Sequence, residues 1–451
     1  MSFDDHLFVR LLGVALLLHE AVYAADLGVA FFVDTFAPVF GVRVPRGLKL
    51  VAHVALIATL GSLVAAPDSA IARLALLPAL TLCCIAASGR LSNHLVVAWC
   101  FALCLFADAS IATGLLPAAA APILAIVYGA SGFAKLNADY FADDIGCGSH
   151  LARTLIVAWD IALIRRRLSA GSLSIVATRG IVVAETLLAV GIIVAPRHVA
   201  PVAIALHLLF GLLCHVHFSG VMTAGVVYVA GLDVPSGVVP LVMAILVGAW
   251  IGFRFGNWRP YQHRRLAAAG QMAYGIVAIA ALEAATLAAL SPGERARPDL
   301  FDNPAALVIV SLFALNCATP YLGVKQAFSF AMFSNLRPDR WTHRVVARPL
   351  VQPLTRYYHV AALSGLPEIG SLDHDVTARR AASELLMFAH RKYSVAFLAG
   401  VHHLFPELHL TLRVGGDLRP LGELVESARW WMIWCLDPLV LPIDERARVC
   451  E

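Results

Sequence analysis

Long apolar runs alternate along the chain with short polar connections that carry arginine. About eleven such runs can be marked, at 11–33, 50–66, 72–88, 94–112, 115–133, 178–195, 199–216, 219–232, 236–253, 271–290 and 305–323. Most are roughly 17–25 residues long, the length an α-helix needs to cross a hydrocarbon layer of about 30 Å. Strands of a membrane barrel would be about ten residues long and would alternate strictly. The pattern therefore predicts an all-α polytopic membrane protein, a bundle of about 9–11 transmembrane helices. Segment 219–232 is short for a span and reads as re-entrant or continuous with its neighbour, which sets the lower count. The connection at 134–177 is more than a turn. Its apolar stretch 154–165 is too short to span and ends in Arg165, Arg166 and Arg167, which suits an interfacial helix.

The character changes near residue 323. Residues 1–323 read as the transmembrane domain, and residues 324–451 as an interfacial segment followed by a small C-terminal α+β soluble lobe. In that lobe 377–390 has a helical pattern and 408–414 a strand pattern. Trp430, Trp431 and Trp434 suit the lobe's core better than a membrane interface.

Composition sharpens the class. Of 451 residues 60% are hydrophobic and 14% charged, against about 45–50% and 25% in a soluble domain. Disorder, a disulfide-stapled secreted domain and an ordinary soluble enzyme are excluded, and membrane lipid becomes the expected surround. The net charge of +4 resides mainly in loop and tail arginines and gives no support to a nucleic-acid partner. Arg43, Arg46 and Lys49, then Arg165–Arg167, then Arg254, Arg259, Arg264 and Arg265, fall in alternate connections. By the positive-inside rule these connections and the tail are cytoplasmic, in a multi-pass protein of a bacterial-type plasma membrane. The acidic start MSFDDH is unlike the basic start of a signal peptide, so the first run is read as a retained span. The nine cysteines show no CxxC or zinc spacing, so no disulfide frame is expected.

Ionisable residues within apolar runs are costly and mark candidate chemistry. Lys135 closes a run inside Tyr128-Gly-Ala-Ser-Gly-Phe-Ala-Lys-Leu-Asn-Ala-Asp-Tyr140, where small residues permit close helix packing. A lysine withdrawn from water can act as a neutral general base, or it can simply snorkel to the interface. His19, His53, His94, His207, His215 and His217 lie in or beside apolar runs. None forms the i, i+4 pair of a strong helical metal site, so no metal is expected; imidazoles can instead steady an anion or move protons. Glu20, Asp26, Asp108, Glu185 and Glu283 read mainly as partners of Arg10 or of histidines. His19 and Glu20, about 100° apart on a helix, need different partners. The stretch from Thr319 to Arg337, with Lys325, Ser329, Ser334 and Asn335 between Phe328, Phe330, Met332 and Phe333, suits an interfacial segment or a pocket wall.

At these residues a family resemblance enters. The stretch Gly132-Phe-Ala-Lys-Leu-Asn-Ala-Asp-Tyr140 resembles the membrane motif of the vitamin K-dependent gamma-carboxylase family, whose bacterial members are the horizontally transferred transmembrane (HTTM) domain proteins. There two lysines precede a Leu-Asp-Ala-Asp-Trp run. Lys135 falls on the second, the proposed base; Ala134 takes the place of the first, Asn137 of Asp and Tyr140 of Trp. Ser92-Asn-His94 resembles the family's Asn-Asn-His. Phe218-Ser-Gly-Val-Met222 resembles a Phe-Ser-Ile-Gly-Met segment whose upstream histidine position is Gly211 here, with His207 one turn before it and His215 one turn after. Pro320-Tyr-Leu-Gly and Met332-Phe-Ser-Asn-Leu-Arg337 also look like HTTM proteins. The resemblance implies a carboxylase-like enzyme using a reduced quinone (vitamin K or menaquinol type) with O2 and CO2. Lys135 would be the base, and His94, His207 or His215 would stabilise the anion. The short tail departs from the family's large substrate-docking region. Loop charge puts the Lys135 connection in the cytoplasm, whereas the family's catalytic face is lumenal. The alternative expectation is a non-catalytic membrane protein that binds or moves a lipid or small molecule.

Overall fold

A computed structural model describes residues 3–27, 45–86, 93–111, 114–142, 146–147, 170–211, 216–232, 265–290, 300–322, 341, 343–348 and 357–367, and between 382 and 442 the short stretches around the strands given below. Ten α-helices appear among them: α1 Phe3–Leu27, α2 Arg46–Ala65, α3 Ala70–Ala86, α4 Asn93–Ile111, α5 Leu115–Ala134, α6 Ala170–Val194, α7 Pro196–Phe210, α8 Val216–Ala230, α9 Arg265–Leu290 and α10 Pro304–Ala318. The described chain is thus mostly helical, with a small sheet near its C-terminal end.

Among the described residues three helices are long and apolar enough to cross a membrane: Gly47–Ala65, Asn93–Ile111 and Leu115–Ala134. The nineteen residues of α4 span about 28 Å at 1.5 Å per residue. Shorter apolar helices include Pro196–Phe210, Val216–Ala230 and Pro304–Ala318. Most of the 219–232 run lies in α8. The runs at 154–165 and 236–253, most of the Thr319–Arg337 stretch and the three tail tryptophans lie outside the described residues.

One continuous core joins the helices, from Phe8 and Leu12 on α1 to Phe101 on α4, Leu124 on α5 and Met222 on α8. The outside is apolar too. Val183, Leu187, Val190 and Val194 are 56–67% exposed along one stripe of α6, and Val308, Leu312 and Leu315 form a similar stripe on α10. Helices apolar on both faces suit an apolar solvent. Lys49, counted above among the loop charges, is buried one turn inside α2.

Helix ends are held by local chemistry. Asp108 near the end of α4 accepts from the backbone N–H groups of Leu115 (2.7 Å) and Leu116 (2.9 Å), an anion at the N-terminus of α5. Gly114, at φ +63°, supplies the left-handed residue this reversal needs. Helix α5 therefore runs back along α4. His94 at the start of α4 and Lys135 just past α5 share one end of the bundle.

The tail contains an antiparallel sheet of order β4-β3-β1-β2-β5, from β1 Tyr357–Ser364, β2 Arg391–Ser394, β3 His409–Val414, β4 Asp417–Pro420 and β5 Val440–Pro442. Leu410 and Leu412 point into a core with Tyr358, Val360 and Tyr393, and the alternate Arg413 is exposed. The strand read at 408–414 is β3. Of the 377–390 helix, Ala382, Leu385 and Leu386 are described, and all are helical. Cys147 is disulfide-bonded, contrary to the expectation from cysteine spacing.

Helix α8 lies close on α1 because Gly220 has no side chain: a Cβ there would stand 3.0 Å from Ala15 Cβ. Gly220→Leu should destabilise the bundle by about 1–3 kcal/mol through overpacking. A lowered unfolding midpoint in detergent checks this; an unchanged midpoint would contradict it.

Candidate functional site

Lys135 follows α5 directly and is 3% exposed. Its Nζ donates to both carboxylate oxygens of Glu185 on α6, at 2.9 and 2.8 Å, and to Ser131 Oγ at 2.6 Å. Ser131 Oγ in turn donates to Glu185 Oε1 at 3.0 Å. Small residues make this possible. A Cβ on Gly132 would stand 3.4 Å from Glu185 Cβ, and one on Gly129 3.6 Å from Ala189 Cβ, so α6 approaches α5 closely enough for the carboxylate to reach. The lysine is buried and ion-paired and does not snorkel. Because it donates to a carboxylate, Glu185 is the group beside it able to receive a proton.

Tyr128, Ser131 and Lys135 occupy positions i, i+3 and i+7 of one face of α5. Two turns below Lys135, Tyr128 Oη lies 2.8 Å from His207 Nε2 on α7. His207 is 1% exposed and packs against the rings of Phe210 and Phe218. His94 on α4 bonds elsewhere: its Nε2 lies 2.7 Å from His19 Nδ1 on α1, and its ring meets that of His217 on α8. Glu20 pairs separately with His53, at 2.8 Å, so the 100° between His19 and Glu20 does direct them to different partners. His215 lies outside the described residues. The structure therefore brings Lys135 to Glu185, His207 to Tyr128, and His94 to His19 and His217. Among the described residues no group of three or more His, Cys, Asp or Glu side chains is placed to hold a metal ion.

Glu185, which the sequence suggests as a partner of Arg10 or of a histidine, instead accepts from Lys135, and Tyr128 of the same motif meets His207. The signal for Glu185 was a carboxylate in an apolar run, which needs a cation; its spacing from Lys135 of fifty residues concealed which one. Tyr128 was visible as the residue seven before Lys135, on the same helical face.

The tail returns to this end of the bundle. His343 Nε2 donates to Phe133 O at 2.9 Å, and its Nδ1 accepts from the N–H groups of Val345 (3.2 Å) and Val346 (3.0 Å). Arg344 N donates to Leu136 O at 2.8 Å, and Asn137 bridges His343 in antiparallel fashion. Asn137 also ties the turn itself, donating to Ala134 O and accepting from Tyr140 N. Phe133, Tyr321, Trp341 and His343 form a ring cluster over the segment.

No family model, curated protein or solved structure matches the chain. The likeness of the Lys135 segment to the carboxylase family rests on the motif residues themselves.

Two outcomes follow. Glu185→Ala leaves a buried ammonium without its counter-ion and should cost about 3–5 kcal/mol, much of it restored in Lys135→Met/Glu185→Leu, as thermal unfolding would show. Burial holds the His343 imidazole below its ordinary 6.5, with the Phe133 carbonyl partly opposing. The undocked segment then binds a proton that the docked one does not, in the window from 6.5 down to that lower value. Docking should be complete above 6.5 and weaken as pH falls through this window. Hydrogen exchange at Arg344 N–H should quicken there, and the pH response should vanish in His343→Gln.

Proposed function

We propose that this chain is a multi-pass membrane protein that carries out carboxylase-like, quinol-dependent chemistry at Lys135 and Glu185. The observation that carries the reading is the buried contact of Lys135 with Glu185 and Ser131 inside the helix bundle. The apolar stripes on α6 and α10 support insertion in lipid, and the shorter helices add to the three long ones as spans. The return of His343 to Phe133 puts the start of the tail at the Lys135 end, and the remaining loop arginines favour the cytoplasm for both.

In this reading the substrate is a phenol. A reduced quinone would supply electrons and, with O2, a base strong enough for carboxylation with CO2. The resemblance makes Lys135 the base; because Lys135 Nζ donates to Glu185 here, this reading instead has Glu185 accept the hydroxyl proton and Lys135 donate to the oxygen left negative. Exclusion of water strengthens both effects. The Tyr128–His207 pair supplies neutral hydrogen bonding two turns deeper. His94 and His215, as further anion stabilisers, rest on the motif resemblance.

A second reading has its own observation. Lys135 and Glu185 satisfy each other, as a staple between α5 and α6 would, and a non-catalytic lipid-binding protein needs nothing more. The two separate on purified protein in nanodiscs, given reduced menaquinone or vitamin K hydroquinone. The catalytic reading expects oxygen uptake and quinone epoxide, both reduced about 10²-fold or more in Lys135→Ala. Absence of turnover in folded wild type, or turnover untouched by Lys135→Ala, would favour the staple.

A further inference from the structure

The end of α5 is held by the tail as well as by its own turn. The last four carbonyls of an α-helix lack a partner within it. Here Ser131 O accepts from Lys135 Nζ at 3.3 Å, Gly132 O from Lys135 N at 3.2 Å, and Ala134 O from Asn137 Nδ2 at 2.9 Å. Phe133 O accepts from Leu136 N at 3.0 Å and from His343 Nε2 at 2.9 Å. Just past the helix, Leu136 O accepts from Arg344 N at 2.8 Å. Lys135 thus stands between two carbonyls that the tail grips. Its Nζ reaches Glu185 from that turn, so a shift of the turn takes the ammonium with it.

His343 can grip in one protonation state only. Its Nδ1 accepts from the backbone N–H groups of Val345 and Val346 while its Nε2 donates to Phe133 O. An imidazolium has no acceptor nitrogen, so a proton on Nδ1 breaks both contacts and sets a donor against two donors. Trp341 Nε1 donates to Val346 O at 2.6 Å and closes the same loop. The titratable or charged groups on the elements packed around the ring are Lys135, Asp139 and Tyr140 of the turn, Tyr321 after α10, and Arg344, which lies over the Phe141 ring. Among the described residues no carboxylate is within ion-pair distance of His343. A proton there gains no counter-charge, and undocking is what accommodates it.

We propose that the tail residues from His343 to Val346 form an acid-released latch: docked, they hold Lys135 against Glu185, and a proton on His343 frees both the tail segment and the ammonium. His343 is then a positioning residue that acts on Lys135 through the backbone of its turn. The step is uptake of one proton from water at Nδ1, with no change of oxidation state. The latch operates whether the Lys135–Glu185 contact carries chemistry or only staples α5 to α6, and its test contains no quinol.

In the experiment, the full chain in nanodiscs meets an amine-acylating reagent briefly between about pH 5 and 8. Modification of Lys135 is read by mass spectrometry as a ratio to the unfolded chain at the same pH, which removes the reagent's own pH dependence. The latch predicts a low, flat ratio above 6.5 and a climb below it, by up to about tenfold per pH unit. Lys49, buried elsewhere in the bundle, should show no climb. In His343→Gln, which keeps a donor for Phe133 O but does not titrate, the Lys135 ratio should be the same at every pH. Arg344→Pro, which lacks the N–H that Leu136 O accepts, should raise it at every pH. A wild-type ratio that stays low down to pH 5 would overturn the proposal, as would a parallel climb at Lys49. So would a climb that survives His343→Gln, or full protection of Lys135 in Arg344→Pro. Should a variant fail to fold, the wild-type comparison of Lys135 with Lys49 decides alone.

Discussion

A charge inside an apolar bundle must bring its own partner, and the Lys135–Glu185 contact is where this constraint acts most visibly. Removing water from an ammonium and a carboxylate costs several kcal/mol per ion, so neither is tolerated alone. Their mutual attraction recovers much of that only at short range and with the remaining hydrogen-bonding positions filled. Ser131 fills one for each partner. Gly129 and Gly132 follow from the same demand, because a bulkier face on α5 would keep α6 too far away. Pairing, serine and glycines form one solution to the problem of burying charge.

The same constraint organises the rest of the polar interior. Glu20 is matched by His53, His207 by Tyr128, and His94 by His19. Asp108, nearer the opposite end, is satisfied by the first N–H groups of α5. Two of these contacts, His207 with Tyr128 and His94 with His19, join helices that are not consecutive in the chain. They fix which helices are neighbours more narrowly than apolar packing can, since an apolar face accepts many partners and a buried carboxylate very few.

Much of the architecture was legible in the sequence because hydropathy reports burial in apolar surroundings directly. The described helical runs and the strand at 408–414 came from local pattern. The other four strands did not, because short strands such as Asp417–Pro420 carry too few residues for alternation to be visible. Lys135 was legible as a candidate because a lysine at the end of an apolar run is conspicuous. Its partner was not: Glu185 lies fifty residues away, and only tertiary packing of α5 on α6 selects it over Glu20 or Glu283. His94 and His207 drew notice as two of a kind, yet they lie in different clusters.

The central claim is that the buried ion pair transfers protons in addition to holding two helices together. The double variant Lys135→Met/Glu185→Leu tests it most directly, because it removes both charges together and leaves neither stranded. Oxygen consumption with reduced menaquinone should be present in wild type and absent in the double variant, with both folded to the same helical content. Equal consumption by the two proteins would contradict the account and leave the pair a structural staple.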